Sequence, residues 1–344
     1  MYHLPIRGIE QGKPMSHNSL RIAGWLISSC LLVAASQAAT TSDAGVQVQH
    51  DVTYQLLNGF HPQTADLYVP ATATEARRAP AVIFAHGGGW GAGGPRMEDV
   101  PAMMSELARR GIVAMAINYR FHGEARFPAQ IQDTKAAIRW LRSNAAEYHV
   151  DPAHIGIWGA SAGGYLAALA GTSCGDMRLE PPAPAPARAG GPPGMVAVKS
   201  DPAQSDCVQA VVDWYGPIDF ASMDGQALPK SMPHAAPGGA ESQLLGCTLP
   251  QCPTERLTQA SVLSYVDKSD PPALIMHGDG DHAVPAGQSI AFDKALKAAG
   301  VSSTLVLVPG ADHGFAGVTA EQRVKIQQQV YEFLERTLAT PQPR

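Results

Sequence analysis

The chain has 344 residues, 45% of them hydrophobic and 16% charged, enough to bury the core of one large α/β domain or two smaller ones. Its 25 basic and 30 acidic residues leave a formal net charge of −5, and no run of Lys or Arg stands out. The electrostatic footprint that nucleic-acid binding requires is missing, so no nucleic-acid partner is expected.

The first feature in chain order is a targeting segment. Arg21 precedes the apolar run IAGWLISSCLLVAA, which gives way to the small residues SQAAT. The run is short for a bilayer span and no later run approaches transmembrane length, so no stable span is expected in the mature chain. Residues 1–38 read as a signal peptide, with Met15 as an alternative start and cleavage near Ala38 or Ala39. The protein is therefore expected to be exported, either to a periplasm or out of the cell. Ile27-Ser28-Ser29-Cys30 is similar to a lipobox, but the apolar run continues past Cys30 where a lipobox cysteine should end it. A cleaved signal is preferred to a lipoprotein anchor.

After the signal, VTYQLL and ADLYVP alternate like half-buried strands. From residue 81 short apolar runs follow one another: AVIFAH, IVAMAINY, HIGIWGA, VQAVVDWY, PALIMHG and STLVLVP. Such continuous runs suit strands buried on both faces, as in a parallel sheet covered by helices. Helical patterns alternate with them: EDVPAMMSELARRG, FPAQIQDTKAAIRWLRSNAAEY, AGGYLAALAG, QSIAFDKALKAAG and EQRVKIQQQVYEFLERTL. The predicted class is α/β, with a mainly parallel central sheet, an antiparallel N-terminal edge and helices on both faces. Residues 219–262 have little periodicity and read as an insertion lying over the ligand site as a lid.

Removing the signal leaves four cysteines, Cys174, Cys207, Cys247 and Cys252, an even set that suits two disulfides in an exported protein. Of the three connectivities, Cys247–Cys252 joins near neighbours. Cys174–Cys207 closes the Pro/Gly/Ala-rich loop 175–206, which cannot build a core of its own. Closing that loop would contribute about 3–4 kcal/mol by chain entropy. A metal-site reading is poorer, since no CxxC pair occurs. His234 and His282 have no partners at metal-ligand spacing, and no metal is expected.

Two chemistries compete for the glycine-rich turns. HGGGWGAGG follows the strand AVIFA, and Gly89-x-Gly91-x-x-Gly94 formally fits a dinucleotide fingerprint. A ribose-binding carboxylate should then end the next strand, which instead ends Ile117-Asn118-Tyr119-Arg120, and no P-loop sequence occurs. The second chemistry is acyl transfer. Gly159-Ala160-Ser161-Ala162-Gly163 fits G-x-S-x-G between a strand and a helix, where a strained turn lifts the hydroxyl above the sheet. The Ala162 N–H then opens a helix and can stabilise an oxyanion. The glycines of His86-Gly87-Gly88-Gly89-Trp90 let further N–H groups converge on an anion. A carboxylate follows one late strand in HGDGDHAVP, and an imidazole follows the last strand in Asp312-His313-Gly314-Phe315. The order Ser, Asp, His at neighbouring strand ends is that of an α/β hydrolase.

Together HGGGW, NYR, FPAQIQDTKAAIRWLRSNAAEY, DPAHIGIWGASAGG, AVVDWYGPIDF, HGDGDHAVP and PGADHGF resemble the α/β-hydrolase serine esterases over roughly residues 50–340. The resemblance is to the hormone-sensitive-lipase-like and the acetylxylan/feruloyl-esterase-like branches. It implies a single α/β-hydrolase domain over residues 45–340, with Ser161 as nucleophile, Asp281 as acid and His313 as base. It also implies an oxyanion hole from Gly88 or Gly89, with Trp90 in reach, together with Ala162. The implied substrate is a small-molecule or saccharide ester, and no cofactor is needed. The chain departs from the family in having FHGEAR where members often carry a proline-containing turn, and in the length of the 175–206 loop.

Asp279 lies two residues from Asp281 and stays an alternative acid, while D-x-x-V-P, whose Val-Pro starts the next helix, favours Asp281. Asp312, adjacent to His313, reads as structural. His86 is expected to hold the glycine loop, and Asp133 to pair with Arg120. Trp214, Tyr215 and Asp219 in DWYGPIDF either line the site or end a buried strand. Two alternatives stay open. A prolyl-oligopeptidase-like peptidase shares the triad order, but there is no room here for a propeller and no repeat. A non-enzymatic hydrolase-fold binding protein usually lacks a triad residue, and all three are present here.

Overall fold

The computed structural model describes residues 40–43, 45–183 and 198–339. The proposed signal segment, with Met15, Cys30, Ala38 and Ala39, lies outside the described residues, as does the middle of the 175–206 loop. The strands are β1 (Thr40–Asp43), β2 (Val46–Gln55), β3 (Gln63–Pro70), β4 (Ala79–Ala85), β5 (Val113–Ile117), β6 (Val150–Ala160), β7 (Ala210–Trp214), β8 (Ala273–Gly278) and β9 (Ser303–Val308). The helices are α1 (Val100–Arg109), α2 (Ala129–Ser143), α3 (Ala162–Thr172), α4 (Met223–Gln226), α5 (Ala240–Leu245), α6 (Thr254–Ala260), α7 (Gly287–Ala298) and α8 (Ala320–Thr337).

The strands form one sheet in the order β1-β2-β3-β5-β4-β6-β7-β8-β9. The pairings from β1 to β5 along this order are antiparallel, and those from β5 to β9 are parallel. This is the predicted α/β arrangement with an antiparallel N-terminal edge. The apolar runs are continuous because both faces are covered. In β4, Ile83 joins a cluster with Ile138 of α2 and Leu166 of α3, while Val82 and Phe84 join another with Leu107 of α1 and Val330 of α8. Helix α3 is buried along its whole length, which explains why AGGYLAALAG shows no polar face.

The structure corrects the sequence reading in three places. Strand β2 begins at Val46 rather than Val52, because an irregularity between Gln49 and Val52, with Asp51 at φ 56°, interrupts the alternation. Strand β9 was expected to be buried on both faces, yet it is the sheet edge, and Leu307 is 39% exposed. Residues 219–262 are not irregular throughout but hold α4, α5, α6 and short 3₁₀ turns.

The base of the long loop is pinned to α2. Cys174 and Cys207 are joined, with Cα atoms 4.7 Å apart, as are Cys247 and Cys252 at 5.2 Å. Beside the first pair, the wholly buried Lys135 donates to the Ser173 carbonyl and, at 2.8 Å, to Asp206, whose other oxygen accepts the Gly175 N–H. Arg142 donates to the Cys207 carbonyl at 2.9 Å. An ion pair this deep is costly to break because the surviving charge stays buried. Lys135→Met is therefore expected to lower the unfolding free energy by about 3–5 kcal/mol, read from urea denaturation.

Candidate active site

Ser161 joins β6 to α3 at φ 55° and ψ −120°, a region that L-residues rarely occupy. Its N–H donates to the Trp214 carbonyl at 2.8 Å, which ties the turn to β7. The flanking glycines are required by space. A Cβ on Gly163 would lie 2.0 Å from the Ala85 carbonyl oxygen, and one on Gly159 would lie 1.9 Å from that of Gly163. The hydroxyl is thereby lifted over the strand ends. Ala162 is the first residue of α3, so its N–H has no acceptor within the helix.

The glycine loop after β4 runs against this turn, since a Cβ on Gly87 would lie 3.1 Å from the Ala160 oxygen. Gly88 (φ 112°) and Gly89 (φ 58°) have left-handed backbones, and both face the same cavity as Ser161 and Ala162. His86 braces the loop. Its Nδ1–H donates to the Gly87 carbonyl at 2.6 Å, and its ring stacks on Tyr119 at 4.4 Å, whose hydroxyl donates to the His86 carbonyl. Burial pulls the His86 imidazole down to about 4, against the Gly87 hydrogen bond, so the ring is neutral.

His313 opens a 3₁₀ turn beyond β9, and its Nε2 lies 2.9 Å from Ser161 Oγ. Its Nδ1 lies 2.8 Å from Asp281 Oδ2. Asp281 Oδ1 accepts the N–H groups of Ala283 and Val284, both at 2.8 Å. Burial would raise the Asp281 pKa, but hydrogen bonds from His277, His313 and the Val284 N–H outweigh it and hold the carboxyl well below the usual range. Asp279 instead accepts the Gly310 N–H at 2.6 Å on the exposed side of the turn. Asp312 accepts the N–H groups of His313 and His282, so it caps the turn.

Asp133 forms a buried pair with Arg120 at 2.7 Å. Trp214 and Tyr215 line the cavity, with the Tyr215 ring edge-on to His313 at 4.9 Å, whereas Asp219 does not line it. The Asp219 N–H instead donates to Gln288 Oε1 at 2.6 Å. The cavity is about 800 Å³, and much of its wall comes from residues to which the sequence assigned no place at the site. Met97 and Glu98 precede α1, Arg323 belongs to α8, and the insertion supplies Met232 and the buried pair His234–Glu241 at 3.1 Å. These positions carry no local motif, since only the chain path brings them to one cleft.

Asp213 of β7, also missed, sits beneath the first turn of α3, where a Cβ on Gly164 would meet its Oδ1 at 2.4 Å. Oδ1 accepts the Gly216 N–H at 2.9 Å, and Oδ2 has no partner among the described residues. Burial raises this carboxyl to about 6. A folded-state pKa above the unfolded value of about 3.8 makes stability highest below the unfolded pKa and lost as pH rises to about 6. The loss amounts to about 3 kcal/mol. Asp213→Asn keeps an acceptor for Gly216, and it is expected to flatten this decline between pH 4 and pH 7 in urea titrations.

The BD-FAE family model matches residues 65–296. The esterase LipQ of Mycobacterium tuberculosis is 31% identical over 80% of this chain and 60% of its own length. The esterase LipC of the same organism is 32% identical over 69% of this chain and 53% of its own length, so the chain spans little more than half of these relatives. Among solved structures, a truncated carbohydrate esterase from gut microbiota superposes with a TM-score of 0.68 at 30% identity, covering 85% of this chain and 96% of its own. A propionate-bound esterase from the Planctomycetes species Thermogutta terrifontis gives 0.63 at 26% identity, covering 90% and 98%.

Proposed function

The chain belongs to the BD-FAE family of α/β hydrolases, and from that membership we propose that it is a carboxylic-ester hydrolase working by acyl transfer through Ser161. The observation that carries the proposal is the unbroken relay from Ser161 Oγ to His313 Nε2 (2.9 Å) and from His313 Nδ1 to Asp281 Oδ2 (2.8 Å). In this reading His313 takes the Ser161 proton as Oγ attacks the ester carbonyl. Asp281, held ionised, stabilises the imidazolium that forms. The negative charge on the tetrahedral oxygen is met by the N–H groups of Ala162 and of Gly88 or Gly89. His313 then protonates the departing alcohol, and water enters by the same route to release the acid.

The similar proteins are named as esterases, one of them a carbohydrate esterase, and the cavity has room for far more than a short acyl chain. Small or carbohydrate-linked esters are the substrates this supports. The apolar segment before residue 38 and the two joined cysteine pairs support an exported protein acting in an oxidising compartment as one domain with its insertion over the site. Among the described residues no helix is long and apolar enough to cross a membrane.

Ser161→Ala is expected to fold normally, to lose at least about 10³-fold in kcat on p-nitrophenyl acetate, and to stop reacting with a fluorophosphonate probe. Asp281→Asn should lose a similar factor, whereas Asp279→Asn should stay within about threefold of the parent. Turnover by folded Ser161→Ala would overturn the reading. Faster cleavage of peptide anilides than of esters by the parent would favour a peptidase instead. Non-reducing peptide mapping of the exported protein is expected to recover Cys174–Cys207 and Cys247–Cys252, and not the crossed pairs.

A further inference from the structure

Two imidazoles reach the Asp281 carboxylate, and the proposed reaction uses only His313. The second is His277, next to last in β8 and wholly buried. Its Nε2 lies 2.8 Å from the Val284 carbonyl oxygen and 3.3 Å from Asp281 Oδ2, and its Nδ1 lies 2.7 Å from Ser289 Oγ on α7. A carbonyl oxygen can only accept, so the acceptor itself assigns the proton to Nε2. That N–H is directed at the Val284 carbonyl, with Asp281 Oδ2 beside it at 3.3 Å from the same nitrogen, and the Ser289 hydroxyl partners the other nitrogen.

The donors to Asp281 differ in origin. Those to Oδ1, the N–H groups of Ala283 and Val284, come from the same short turn as Asp281 and move with it. His277 belongs to the sheet core and sets Oδ2 against a strand, whereas His313, the other imidazole at Oδ2, comes from the turn beyond β9. The oxygen it reaches is the one that receives His313 Nδ1–H. By holding the Val284 carbonyl as well, it clamps the turn and the carboxylate plane together.

We propose that His277 is a positioning residue for acyl transfer: its Nε2–H fixes Asp281 Oδ2 and the Val284 carbonyl so that the carboxylate presents a defined lone pair to His313. This rests on the esterase reading of Ser161, His313 and Asp281. A group in this position is expected to act on the alignment of the base, and hence on kcat, and not on substrate binding.

Three variants separate alignment from packing. His277→Gln keeps an N–H near the place of Nε2, His277→Asn keeps one only near Nδ1, and His277→Leu removes both. On p-nitrophenyl acetate, kcat is expected to fall about ten- to a hundredfold in the Asn and Leu variants, with KM within about twofold, while Gln retains most of the parent rate. The low-field proton resonance of His313 Nδ1–H, read without substrate, is expected in the parent and in Gln and to be lost or broadened in Asn and Leu. Parental kcat and an unchanged resonance in folded Asn and Leu variants would overturn the proposal. Equal losses in Gln and Asn would also overturn it, because packing alone would then explain them, and the Gln–Asn pair decides if Leu does not fold. A parent that shows the resonance yet hydrolyses no ester would count against the esterase reading, and the resonance series would still decide the role of His277.

Discussion

The backbone of Ser161 is held at φ 55° against a cost of about 1–3 kcal/mol for an L-residue, and the surrounding architecture is arranged to hold it there. The strain is tolerable because three strands converge on the turn. Strand β6 delivers it, β7 anchors its N–H through the Trp214 carbonyl, and β4 closes in so tightly that only glycine fits at 163. The same closeness sets the glycine loop after β4 against Ala160, which brings its N–H groups to the cavity beside Ala162. The strain and the convergence of donors therefore share one cause, the packing of α3 on the parallel strands.

Burial acts on each ionisable group of the site according to its partners. His86 has only a carbonyl partner for one nitrogen and is driven neutral, which suits a brace. Asp281 is buried as well, but enough donors converge on it to keep the carboxylate charged. Asp213 has one backbone donor and an oxygen without a partner, and its pKa rises. Burial is close to complete at all three, so the difference between a carboxyl held well below its usual range and one raised to about 6 follows from donor count.

How much of this was legible in the sequence depends on range. The parallel strands could be read because burial on both faces writes itself as uninterrupted apolar runs. The edge position of β9 and the early start of β2 could not, because pairing partners and a bulge leave no comparable trace in composition. Ser161 was legible because its turn imposes glycines two residues to either side. His234, Glu241 and Arg323 reach the cavity from the insertion and from α8, and no spacing rule links them to Ser161.

Asp281 and His313 stand between these cases. Their order along the chain and their places after β8 and β9 are properties of the sequence. Which of Asp279 and Asp281 faces the imidazole is decided by a turn that sends Asp279 toward Gly310 and buries Asp281 against His277 and Val284. The sequence by itself determined the layered α/β class, the turn at Ser161 and the order of the three groups, because each follows from local sterics or from burial along a strand. Only the tertiary structure decided the direction of each side chain, the cavity wall and the second histidine on Asp281. Those depend on contacts between segments whose separation in the chain carries no physical constraint until the sheet has formed.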